Sequence, residues 1–156
     1  MNISSKKYAK FKLLFGVILA ALIACSQESA DEVVKTWTAA EKLDFFYRGF
    51  DETAPLRFSE DEMLSAASFK GYVTKESELS RFIGGLSVAC DAVSEPSEAQ
   101  MDLHVLIKAH GKNDEEMRWK ASPFHFYDST IGKVCVLKPK DSERLSALMQ
   151  KLSAAK

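Results

Sequence analysis

At Gly84-Gly85 the spacing of apolar residues changes, and this limits the chain to a fold with helices in its first part and strands in its second. Ahead of the glycine pair, apolar side chains recur every three or four positions. Val33, Val34, Trp37, Ala40, Leu43 and Phe46 predict an amphipathic helix from Asp31 to Arg48, capped by Ser29 or Asp31 and broken by Gly49 and Pro55. Phe45-Phe46-Tyr47 is wider than one helical stripe, so one ring must pack under the following loop or face a partner. Ser59-Glu60-Asp61-Glu62 has the form of a capping box and predicts a second helix that runs to about Phe69 and stops at Gly71. A third, short helix is expected over Lys75 to Ile83, ended by the glycine pair.

Beyond Gly85 the period is two. Leu86, Val88, Cys90 and Ala92 suggest a strand, with a helix over Leu79 to Val93 as the open alternative. Met101, Leu103, Val105, Ile107 and Ala109 alternate with more polar neighbours and form the clearest strand. After the turn residues Gly111 to Asp114, Met117 and Trp119 lie on one face and Arg118 and Lys120 on the other, which predicts a hairpin. Phe124 and Phe126 alternate with His125 and Tyr127, and Val134 to Leu137 is continuously apolar, as in a strand covered on both sides. Pro139 ends it, and Asp141 is expected to cap a last helix with the stripe Leu145, Leu148, Met149 and Leu152. The expected architecture is α+β: a single domain with N-terminal helices, a four- to five-stranded, mostly antiparallel sheet and a C-terminal helix packed on it. A length of 156 residues leaves room for one core.

The first 24 residues stand apart from this domain. Lys6, Lys7, Lys10 and Lys12 precede the apolar run Leu13 to Ala24, which suits a signal segment and is too short to span a bilayer. The run ends Leu22-Ile23-Ala24-Cys25, which resembles the lipobox of bacterial lipoproteins. The resemblance implies that residues 1–24 are a cleaved signal peptide and that Cys25 carries a thioether-linked diacylglycerol, with its new amine acylated as well in diderm bacteria. Two or three acyl chains hold a domain at a membrane, whereas one binds only marginally. Ser26, in the position where many inner-membrane lipoproteins have aspartate, favours the periplasmic face of the outer membrane. Residues 25–31 then form a polar, lipidated tether, and 32–156 the globular domain.

With Cys25 lipidated, Cys90 and Cys135 are the one pair left for an intramolecular bridge. Export permits it. Two buried free thiols are the alternative. Closing the loop between them stabilises a fold by about 4 kcal/mol in the chain-entropy treatment.

Motif-defined chemistry is missing from the sequence: it has no glycine-rich phosphate loop, Gly-x-Ser-x-Gly elbow, Cys-x-x-Cys or His-Glu-x-x-His. No catalytic, cofactor or metal residue is therefore assigned. His104 and His110 share a strand face but are six residues apart, about 20 Å at strand rise, too far to ligate one metal. With His125, they are read as residues of a solvent face. The acids of residues 60–62 and 114–116 are read as solvated.

Charge is segregated. Residues 28–102 hold 16 acids against 7 bases, and residues 103–156 hold 6 against 10. Lys108, Arg118 and Lys120, on the polar face of the hairpin, are thus a candidate partner surface, unless the acidic helices pack against them. No basic stripe points to nucleic acid. The expected function is a lipid-anchored, non-catalytic protein-binding module of inhibitor, immunity or envelope-complex accessory type. The alternatives are a small enzyme using His104, His110 or His125, and a domain for lipid or another small apolar ligand.

Overall fold

Helix gives way to strand between Ala40 and Lys42, eight residues before the expected end of the first helix. The computed structural model describes residues 30–52, 57–74, 76–110 and 116–155; the lipobox and the turn Gly111 to Asp114 lie outside them. The contact pattern separates Val33–Lys156, which carries the fold, from the residues before it. Helix α1 covers residues 30–39 and is followed by strand β1, Lys42–Tyr47. Then come α2 (Glu60–Ala66), β2 (Phe69–Thr74), α3 (Glu78–Val88), a two-residue β3 (Ala92–Val93) and a short 3-10 turn at Glu98–Gln100. The remaining elements are β4 (Val105–His110), β5 (Glu116–Ala121), β6 (His125–Asp128), β7 (Lys133–Val136) and α4 (Pro139–Ala154). The fold is α+β, and the described residues form one sheet of seven strands in the order β2-β1-β4-β5-β6-β7-β3 instead of four or five. Every pairing is antiparallel.

Of the two added strands at the start of the sheet, β1 comes from a segment read as helix, and β2 from the stretch between the second and third expected helices. In β1, Leu43, Phe45 and Tyr47 are buried on one face while Asp44 and Phe46 alternate with them. That period-two pattern coexists with the helical spacing of Leu43 and Phe46, and pairing with β4, Phe45 opposite Ile107, selects the strand. It also resolves the aromatic triplet: Phe45 and Tyr47 enter the main core, and Phe46 packs in a second cluster on the opposite face.

Helix α2 begins where expected, with Ser59 accepting from the Glu62 N–H and the Glu62 carboxylate accepting from the Ser59 N–H at 2.6 Å. It ends at Ala66, and Gly71 lies inside β2. Helix α3 runs through the glycine pair to Val88, so residues 86–88 are helical and the alternative reading of this stretch is the better one. Gly84 serves packing: a Cβ there would stand 3.0 Å from the Val34 Cα of α1. Helix α4 starts at Pro139 in the first turn, with Lys138 as N-cap, and Asp141 lies within that turn.

The main core lies between one sheet face and helices α1, α3 and α4, through Trp37, Ile83, Trp119, Phe126, Leu145 and Met149. The smaller cluster, with Met63 of α2, Met101, Leu103 and Leu106, covers part of the other face. Cys90 and Cys135 are disulfide-bonded with their Cα atoms 5.3 Å apart. Because Cys90 follows the last turn of α3, the bridge joins helix to sheet, not strand to strand.

Candidate functional site

The order of the sheet leaves β2 and β3 at its edges. β3 is two residues long, which blunts it as a template for further pairing. β2 is six residues long, and among the described residues its only ladder is with β1. Register puts Phe69, Gly71 and Val73 on the face of Tyr47, Phe45 and Leu43, and Lys70, Tyr72 and Thr74 on the other. Phe69 stacks on Tyr47 at 6.2 Å yet stays 45% exposed, and Tyr72 is 63% exposed beneath the Lys42 ammonium.

Edge lysines commonly discourage strand addition. Lys70 is turned away from that role, donating to the Leu64 and Ser65 carbonyls at the end of α2 at 2.7 and 3.0 Å. Gly71 brings no side chain, and beside it a groove of about 540 Å³ opens over Phe45 toward Leu152 and Ala155 at the end of α4. The described residues that line it are uncharged.

The histidines are not a set. His110 is exposed at the far end of β4, and His125 is half-buried opposite Val136 of β7. His104, expected on a solvent face, is only 3% exposed, which corrects that reading. It precedes β4 and sits against Arg48, itself 2% exposed, at the end of β1. Arg48 donates through Nε to the Leu103 carbonyl (3.0 Å) and through Nη2 to Asp102 Oδ2 (2.9 Å) and His104 Nε2 (2.8 Å). A guanidinium only donates, so Nε2 must accept, and His104 is the neutral tautomer whose Nδ1–H donates to the Gly49 carbonyl at 2.8 Å. Burial holds its pKa below the ordinary value, and the Arg48 charge adds to this; the Gly49 hydrogen bond and Asp102 pull the other way without prevailing. Asp102 also accepts from the Phe58 N–H (2.8 Å), and the Arg48 guanidinium lies 4.2 Å from the centre of the Phe58 ring.

Lys108, Arg118 and Lys120 do share one face of the β4–β5 hairpin, and acids meet them there. Glu60, in the first turn of α2, lies 3.4 Å from Lys108, 3.5 Å from Arg118 and 2.8 Å from Lys120. Glu116 pairs with Lys108 and Arg118, and Glu98 with Lys120. Burial alone would raise the Glu60 carboxyl, but the Lys120 hydrogen bond and the nearby cations outweigh it and hold its pKa low. Lys120 is the mirror case: burial would lower it, and its bonds to Glu60 and Glu98 raise it.

A different buried acid ties helices to sheet. Asp128 is fully buried; its Oδ2 accepts from Trp37 Nε1 at 2.9 Å and from the Ser87 hydroxyl, and its Oδ1 accepts from the Thr130 N–H and hydroxyl, both at 2.7 Å.

Sequence reasoning missed both buried polar centres. The available signal for the first was Asp102 and His104 on one side of a strand pattern; the Arg48 that buries them is 54 residues away from Asp102. Cys25 lies outside the described residues. Among them, no group of three or more histidines, cysteines and acids is placed to hold a metal ion, and no helix is long and apolar enough to cross a membrane. Compared with protein families, curated proteins and solved structures, the chain matches none.

Proposed function

We propose that this chain is an envelope lipoprotein, anchored through Cys25 at the periplasmic face of an outer membrane, whose domain is a non-catalytic protein-binding module. The observation that carries the reading is the open β2 edge, with exposed Phe69 and Tyr72 beside the groove over Gly71. Its occupant is an extended segment of a partner protein. Such a segment adds as an outer strand through main-chain hydrogen bonds, and alternate side chains give specificity. The described residues that line the groove are uncharged, which suits an apolar side chain of that segment. The neutral His104, with both ring nitrogens engaged inside the fold, supports a binding role over acid–base work. Lys108, Arg118 and Lys120 are a less favoured partner surface, since Glu60, Glu98 and Glu116 already answer them.

A photo-crosslinking residue in place of Tyr72 is expected to yield a discrete partner adduct in intact cells, and the same residue in place of the exposed Phe124 to yield none. Phe69→Lys in the Tyr72-labelled protein abolishes the adduct, because a protruding lysine blocks strand addition. Equal adducts at 72 and 124, or an adduct indifferent to Phe69→Lys, remove β2 as the binding edge.

The anchor has its own test. Labelling with a clickable fatty acid should mark the wild-type chain and leave Cys25→Ser unlabelled and unprocessed or released from membranes. Label retained by Cys25→Ser shows the lipobox reading to be wrong.

A further inference from the structure

Gly71 lies in the middle of the open edge and is the one residue of β2 without a side chain. A glycine inside a strand weakens it, and it often marks a place where a ligand or another backbone comes close. Beside this one stands the groove, walled by Phe45 and Val73 of the sheet and by Leu152 and Ala155 at the end of α4.

Two backbone bonds fix which way the edge presents its main-chain groups. The Arg48 N–H donates to the His104 carbonyl and the Ser129 N–H to the Arg118 carbonyl, both at 2.9 Å. In an antiparallel ladder the N–H and C=O of one residue turn to the same neighbouring strand, and those of the next residue turn to the other. Counting back from Arg48, Phe46 and Asp44 turn to β4, whereas Tyr47, Phe45 and Leu43 turn to β2. Counting from Arg118 through Lys108, its partner in β4, to Asp44, the partner of Lys108 in β1, gives the same assignment. Phe69, Gly71 and Val73, paired with Tyr47, Phe45 and Leu43, therefore direct their main chain into the sheet. Tyr72 and Thr74 direct theirs outward, to the open edge.

An antiparallel strand added there bonds through Tyr72 and Thr74. The residue it sets opposite Gly71 is then in a non-hydrogen-bonded pair, the kind in which Cα atoms come closest, about 4.5 Å apart. Its side chain lies on the face of Phe45, over the missing side chain and into the groove. We infer that the segment bound by β2 carries one large apolar side chain, leucine, methionine or an aromatic, opposite Gly71, and that the groove selects the partner by this residue. The inference rests on β2 being the binding edge. Phe69 and Val73 flank the anchor on the same face, within reach of its diagonal neighbours. An acid is rejected at this position for two reasons. The described lining offers no cation, and the groove opens at the C-terminal end of the 16-residue α4, where the helix dipole is negative.

Random heptapeptides displayed on phage and panned against the full-length chain in detergent test the anchor. Peptides enriched on the wild type are expected to share one large apolar residue at a fixed position. They should bind Gly71→Val at least about tenfold more weakly, since the valine side chain takes the space of the anchor. Gly71→Val should melt no lower than the wild type, valine being the better strand residue. Should it melt lower, Ala155→Trp replaces it, filling the groove from an exposed position on the other wall. Tyr72→Pro separates the anchor from the edge, because it removes an outward N–H and leaves the groove open. Peptides lost on Tyr72→Pro but held equally by the groove-filling variant, or sharing no apolar position, overturn the anchor and leave β2 as the binding edge. Peptides indifferent to Tyr72→Pro, or a panning that enriches none, overturn both.

Discussion

Replacing Cys90 and Cys135 together by alanine lowers the unfolding free energy by about 4 kcal/mol, the chain-entropy value for a bridge that spans 45 positions. For a domain of this size that is a large part of the total, and it corresponds to a loss of roughly 10–20 °C in melting temperature. The bridge matters because of where it is placed. β3 is held to the sheet by two residue pairs, Ala92 with Cys135 and Val93 with Val134, and by the Val136 N–H donating to the Asp91 carbonyl just ahead of it. Alanine rather than serine is the proper replacement, because Cys135 is fully buried and a hydroxyl there would add an unpaired polar group. Urea unfolding of the double variant and of the wild type with and without reductant gives the number. Reduced wild type should match the variant. A difference under about 1 kcal/mol would mean that the bridge constrains little in the unfolded chain.

Asp128→Ala is expected to cost about 3 kcal/mol or more. The substitution removes an acceptor of four hydrogen bonds and leaves the Trp37 N–H buried without a partner. It acts in three places at once. Trp37 fixes α1 on the core, Ser87 fixes the last turn of α3, and the Thr130 bonds shape the β6–β7 turn that closes at Gly132, where φ is 62°. Asn keeps the size but has one carbonyl oxygen to offer, so Asp128→Asn should fall between alanine and wild type. Tryptophan pairs give an internal control. Trp37→Phe breaks the bond to Asp128, whereas Trp119 Nε1 has no partner among the described residues, so Trp119→Phe removes no hydrogen bond and should cost less. Both are fully buried. Equal losses for the two, by urea unfolding, would show that ring volume rather than the Asp128 bond sets the cost.

Features that depend on a few neighbouring residues could be read from the chain itself. The Ser59–Glu62 capping box closes over three positions, the β4–β5 hairpin pairs nearest strands, and the α4 stripe of Leu145, Leu148 and Met149 recurs at helical spacing; each has its energy in residues close in sequence. Pairing of Cys90 with Cys135 was legible by elimination. The rest was settled by partners far along the chain. Residues 42–47 satisfy a helical and an extended pattern alike, and pairing with β4, about sixty positions away, together with burial on both faces, makes them a strand. Gly84-Gly85 has the composition of a helix end, but the close approach of Val34 to Gly84 favours continuing the helix. The same holds for the polar residues. Nothing near His104 in sequence says that Arg48 will enclose it, and nothing near Lys120 says that Glu60 and Glu98 will neutralise it. Side-chain type sets what a residue can donate, accept or bury; which groups meet, and hence whether a charge is solvated or a histidine neutral, was decided only when distant segments packed into one sheet.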